Sequence, residues 1–287
     1  MHKVKILPIL IFISTFIACT EPPKEEQSRP DEVVSAPTNR VVLSSEIQWE
    51  QLNPARGDKS PQAGTIWGDR KGAVATGFLA KFVDGFSSPP HIHNVTYRAM
   101  VIKGLIHNDD PKAEKMWMPP GSFWTQPAGE PHITAAKGEE NIAYVEIDNG
   151  PYLVKPTAET FDNGERPINV DISNIIWLDA SKTTIIEDND ATANTGIAFL
   201  WKQKDRTGNL LKLPAGFKGE ILSEGQSFHA IVITGAAAYQ MPQTKEIKSL
   251  DPGSYFTSNG KAKHSVETNN SSETIIYIRT NGKFHLR

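Results

Sequence analysis

The sequence predicts an all-β fold made twice over by internal duplication, and three observations carry that prediction. Short runs rich in β-branched and aromatic residues recur along the chain: "ATGFLAKFV", "YRAMVIKGLI", "NIAYVEI", "GIAFLWKQ", "FHAIVITGAAAY" and "TIIYIRT". Gly, Pro, Asn and Asp punctuate them, as strands require. No stretch of similar length carries the 3.6-residue period of an amphipathic helix. The halves also answer each other in order. "GFLAKF" at Gly77 matches "GNLLKL" at Gly208, and "YRAMVIKG" at Tyr97 matches "FHAIVITG" at Phe228. "PPGSFWTQPAGEPH", ending at His132, matches "DPGSYFTSNGKAKH", ending at His264, and "IQW" at Trp49 matches "IIW" at Trp177. Ordered matches at a near-constant offset mark a duplicated domain, and short strands broken by turns imply a sandwich or barrel.

The first element is not part of that fold. "MHKVK" is a basic head, "ILPILIFISTFIA" is an apolar run too short for a comfortable membrane span, and Cys19 follows. "FIAC" resembles a bacterial lipobox, with Phe16 where Leu is commoner, so residues 1–19 read as a lipoprotein signal and Cys19 as the lipidated residue. Next, "TEPPKEEQSRPDEVVSAPT" has too little apolar surface to fold, and residues 20–42 read as a disordered tether. Cys19 is the only cysteine, so no disulfide forms within the mature chain and its core must supply the stability. The net charge is −3 and there is no basic run, which argues against a nucleic-acid partner. The expected location is outside the cytoplasm, lipid-anchored to a bacterial membrane.

The body divides at "NGPYLVKPTAETFDNGERPIN", Asn149 to Asn169, a passage rich in Pro and Gly. The first unit is expected over residues 43–155 and the second over 170–287. "WGDR", Trp67 to Arg70, reads as a turn with no chemistry.

The first unit holds an ordered set of landmarks. Gly85 is followed after five residues by His91, then His93, then after three more by Tyr97 and after six more by Gly104. Sixteen residues on, Gly121 opens a second block with Pro127, Gly129 and His132. This order resembles the paired motifs of the cupin family. Tyr97 stands where the family has Glu, and Ala136 where the second motif often has Asn. The resemblance implies two tandem jelly-roll β-barrels, with a metal site in the first. Both halves together are similar to bicupins of unassigned function related to the cupin of ChrR-type anti-sigma factors. Transcriptional control is set aside, because a chain tethered outside the membrane does not meet a cytoplasmic sigma factor.

The residues fit that implication. Positions two apart on a strand face one side, so His91, His93 and Tyr97 face together, while Arg98 faces out of the barrel. The turn "PAGEPH" brings His132 in from a neighbouring strand. Three neutral imidazoles suit a divalent transition metal (Fe, Zn or Mn, with Ni and Cu also accepting imidazole) and leave positions open for water or substrate. Tyr97 is open to three roles: metal ligand, hydrogen-bond donor that orients substrate, or packing. Gln126, alternating with Ser122 and Trp124, is a candidate substrate contact. Glu130 and Glu146 are candidate bases, and His107 is expected at an exposed strand end.

In the second unit Leu222 and Glu224 are aligned with His91 and His93, Phe228 with Tyr97, and His229 with Arg98; His264 alone remains in register. That barrel is expected to be structural, covering the first or supporting a homodimer. The functional expectation is an exported metal-dependent oxidoreductase of dioxygenase type acting on an unidentified small molecule. The alternatives are non-catalytic binding of a small ligand or of the metal, and a purely structural surface protein.

Overall fold

The computed structural model describes residues 37–287, so the expected signal, Cys19 and most of the expected tether lie outside the described residues. Within them the regular structure is nearly all strand, and helix is confined to short 3-10 turns such as Pro54–Lys59. The first half forms a seven-stranded sheet in the order Ile168–Val170, Phe123–Gln126, Tyr97–Asp109, Ile133–Ile147, Thr76–Phe82, Gln62–Trp67, Glu50–Gln51. Its two longest strands pair twice. Tyr97 to Val101 oppose Ile147 to Ala143, and beyond two register shifts around Gly104 (φ 73°) Leu105 to Asp109 oppose Lys137 to Ile133. Bulges bend the bulged strand, and here they fold one sheet back on itself to make the barrel wall. In the second half the same strands are broken outright. Phe228–Thr234 and Ala237–Gln240 flank Gly235 (φ 75°) and lie in separate six- and five-stranded sheets.

Each half lends its first strand to the other. Arg40–Val42 pairs with Thr257–Tyr255 of the second barrel, and Ile168–Val170 pairs with Thr125–Phe123 of the first. Residues 37–42, expected in the tether, therefore belong to the fold. Val41, Val42 and Leu43 pack on the cores, Thr38 bonds the Asn259 carbonyl at 2.7 Å, and Asn39 bonds the Tyr239 hydroxyl at 2.7 Å. The physical reason is composition: after the polar run the chain turns to "VVL", which gains by burial. The passage from Asn149 to Asn169 is likewise more than a divider. It folds back over the first barrel, where Val154–Pro156 pairs with His93–His91.

Three apolar cores result. One fills each barrel, and a third lies between them, joining Leu79, Met100 and Ile102 to Leu210, Ile231 and Ile233. Alternation sets this: Ala99 and Val101 point into the first barrel, and Met100 and Ile102 point at the second. Burial on both faces is why these strands read as unbroken apolar runs.

Candidate metal centre

His91 and His93 stand on a three-residue strand, and His132 faces them from the turn after Gly129. Reciprocal backbone bonds pin the two segments: His91 N–H donates to the His132 carbonyl at 3.1 Å, and His132 N–H to that of His91 at 3.0 Å. One ring nitrogen from each histidine lies within 4.8 Å of the others.

Each Nδ1 faces a backbone carbonyl: His91 that of Pro89 at 2.9 Å, His93 that of Leu153 at 3.1 Å, His132 that of Glu130 at 3.1 Å. A carbonyl only accepts, so each Nδ1 carries the proton and each Nε2 a lone pair. That is the arrangement that holds metal-ligating histidines in one tautomer and orientation. The rings are also kept neutral. Burial lowers the pKa of all three, His132 to about 3, and their mutual proximity lowers His93 and His132 further. A three-imidazole donor set with open positions fits a divalent transition metal.

The partners of Tyr97 follow from one fixed carbonyl. The Glu130 carbonyl accepts from Gln126 Nε2 at 3.1 Å, so Gln126 Oε1 faces Asn108 Nδ2 at 2.9 Å as acceptor. Asn108 Oδ1 then accepts from the Tyr97 hydroxyl at 2.9 Å and from Thr134 Oγ1 at 2.7 Å. The Tyr97 proton is thus committed to Asn108, and its oxygen, 3.4 Å from His132 Nε2, presents lone pairs. Burial raises the Tyr97 pKa and keeps it a phenol. Of the roles open to Tyr97, donation to substrate is the one this arrangement does not provide.

Several expectations are corrected here. Gln126 does not line the cavity, because both ends of its amide are spent on Asn108 and the Glu130 carbonyl. Glu130 contributes its carbonyl rather than its carboxylate. Glu146 is 1 % exposed and points between the barrels, bonded by Tyr144 at 3.0 Å, Tyr277 at 2.8 Å and Arg279 at 3.1 Å. His107 is buried, not exposed, beside Trp117, because the segment after Asp109 folds over it. Arg98 leaves the barrel as expected, and is then covered by the second one: it reaches Asp148 at 2.9 Å and lies 4.0 Å from the Trp201 ring.

Tyr152 is the residue the sequence reading passed over. Its ring stacks on His93 at 4.3 Å, and its hydroxyl donates to His93 Nε2 at 3.1 Å. It sits in the Asn149–Asn169 passage, where an apolar aromatic run, "PYLV", among polar residues was the available signal.

A cavity of about 520 Å³ opens beside the histidines. Phe78, Phe82, Phe86, Trp124 and Val145 form its walls, with His91, His93, Tyr97 and Thr134 on its polar side. No carboxylate lines it among the described residues.

The second barrel has no such centre. Ile221 pairs with His264 as His91 does with His132, so Ile221 and Ser223, not Leu222 and Glu224, are the counterparts of His91 and His93. An extra residue between that strand and Phe228 shifts the match by one. His264 is stacked on Phe228 and bonded at both nitrogens, to Tyr239 at 2.8 Å and Ser258 at 3.1 Å. Phe256 and Phe284 fill the rest.

A family model described as a domain of unknown function, DUF4437, matches residues 40–287. No curated protein matches. Solved structures do. A candidate dioxygenase of Nostoc punctiforme is 14 % identical over 86 % of this chain and 83 % of its own, with a TM-score of 0.63. Oxalate decarboxylase of Lactobacillus farciminis is 10 % identical over 85 % and 87 %, TM-score 0.56. Vicilin of Corylus avellana is 10 % identical over 86 % and 87 %, TM-score 0.54. At such identities the likeness is one of fold, the two-barrel cupin fold, and an oxalate decarboxylase and a vicilin share it.

Proposed function

The chain belongs to the DUF4437 family, whose description assigns no function, and from the site itself we propose a metal-dependent oxidoreductase of dioxygenase type acting on a small molecule. One observation carries this: three histidines, each with Nδ1 held by a backbone carbonyl, turn three Nε2 lone pairs toward one another beside an apolar cavity. Iron, manganese or zinc held by His91, His93 and His132 supplies Lewis acidity there, and iron supplies redox chemistry as well.

The protein's own groups set the rest. The phenyl and indole walls exclude water and hold an apolar body next to the ligand atoms. Tyr97 offers an acceptor oxygen to a donor on the substrate, and Tyr152 holds a proton on its hydroxyl against His93 Nε2. With no carboxylate on the wall, a hydrolytic reaction that needs a carboxylate base lacks one, which favours the oxidative reading. The Tyr152 hydroxyl that caps His93 Nε2 supports the second reading, non-catalytic binding of a small ligand or metal. Export and lipid anchorage at Cys19 belong to the same proposal and rest on the sequence.

The test is metal content by mass spectrometry on protein purified without a His-tag, beside the variant His91→Ala, His93→Ala, His132→Ala. About one equivalent of iron, lost in the variant, with oxygen uptake on a substrate panel, is the expected result. One equivalent of metal without turnover supports the binding reading. No metal after reconstitution overturns both metal readings.

A further inference from the structure

The cavity has a charge pattern that metal binding alone does not explain. Of its polar lining, His91 and His93 present Nε2 lone pairs and the protons of Tyr97 and Thr134 are both given to Asn108, which leaves the Asn53 amide, the Ser88 hydroxyl and Arg56 as donors. Its walls are aromatic, with Phe82 and Phe86 5.1 Å apart and Phe78 against Tyr152 at 5.2 Å. Among the described residues the one charged residue on the lining is Arg56, solvent-exposed on the 3-10 turn Pro54–Lys59. Its guanidinium lies 5.0 Å from the Phe86 ring centroid, and no acidic side chain among the described residues pairs with it. Stacking on a ring holds the planar guanidinium fork ready for a carboxylate.

We propose that this cavity takes a small amphipathic monoanion, an aromatic or branched apolar body bearing one carboxylate-like group, with the body against the phenylalanines and the anion on Arg56. This deepens the function proposed above by naming the substrate class, and rests on that reading for its reaction. The pocket is of the size that encloses most of such a ligand, and one well-placed charge among apolar walls fixes its orientation. A cation meets Arg56 with no carboxylate to offset it. A neutral ligand leaves the guanidinium to water and gains nothing from it.

The experiment uses calorimetry on the full-length chain after treatment with chelator, so that metal does not contribute. The probes are 2-naphthoate and 2-naphthamide, alike in shape and different in charge. The naphthoate is expected to bind roughly fivefold more tightly than the amide, the upper end for an exposed ion pair. In Arg56→Gln that preference disappears while the amide binds as before; Arg56→Lys keeps part of it. Val145→Phe, which fills the wall, weakens both probes. Equal binding of the two in the wild type, a preference that survives Arg56→Gln, or no binding of either at millimolar concentration overturns the proposal. Metal content is measured separately, so failure of the metal reading and failure of the substrate class are told apart.

Discussion

Glu146 and Arg279 occupy equivalent places in the two halves, each two residues after a tyrosine that packs against the other barrel, and they bond each other at 3.1 Å. Tyr144 and Tyr277 both donate to the same carboxylate, and Trp67 and Trp201 donate to those tyrosines at 3.2 and 2.9 Å. An unchanged duplicate would place like residues here, and like charges repel. Divergence into acid and base makes the contact between barrels attractive.

Breaking that pair is expected to be costly. Both side chains are almost fully buried, so Arg279→Leu strands Glu146 and should destabilise by about 3–5 kcal/mol in urea unfolding. Glu146→Leu combined with Arg279→Leu should recover part of the loss, because that pair of charges is then gone. A single variant within 1 kcal/mol of wild type, on the order of an ordinary surface substitution, rules this out.

His229 should make stability depend on pH. Burial, then the neighbouring Arg279 charge, lower its pKa to about 4, whereas the unfolded chain titrates near 6.5. Between those values the unfolded state binds the extra proton, so the stabilisation is complete above about pH 6.5 and is lost as pH falls toward 4. His229→Phe, which keeps the stack on Trp67, should reduce the slope of stability against pH by about 1.4 kcal/mol per unit at most in that window. Denaturant curves at pH 4.5, 5.5 and 7.5 measure it.

Gln126 should matter to metal binding without touching metal. It fixes the Glu130 carbonyl that orients His132, and it sets the direction of the bonds to Tyr97. Gln126→Leu is expected to weaken zinc binding by roughly tenfold, the lower end for outer partners of metal ligands. His264→Ala should leave zinc stoichiometry unchanged while lowering stability. Titration with zinc alone separates the two.

Truncation should expose the strand exchange. A chain beginning at Pro37 keeps Arg40–Val42, and one beginning at Leu43 loses it. Half-burial of Val41 and Val42 together stabilises by roughly 2 kcal/mol, so the shorter chain should melt several degrees lower. Equal melting temperatures would falsify the assignment of that strand to the second barrel's stability.

Much of this was legible because the relevant residues obey short-range rules. His91 and His93 share a face by strand alternation, and glycines at matching places signalled the duplicated turns. Tyr152 and Asn108 were not legible, since their roles depend on contacts from distant segments: Tyr152 reaches His93 from a passage that composition marks as a boundary. The slip between Leu222 and Ile221 has the same origin. Alignment on Phe228 puts Leu222 opposite His91, whereas the pairing of Ile221 with His264 sets the register. Gln126 was correctly placed among inward residues of its strand, but alternation does not say whether an inward amide meets ligand or neighbour.

The exchange of first strands also ties the order of synthesis to the order of closure. Arg40–Val42 emerges before both barrels, yet its partner Tyr255–Thr257 lies far along the second one. The first barrel can finish once Val170 is out, but Arg40–Val42 must wait until Tyr255–Thr257 is made, and contacts so distant in sequence form late. A product cut short before Tyr255 would keep that apolar strand without its partner. Incomplete chains thereby carry an exposed mark by which proteases and chaperones can recognise them.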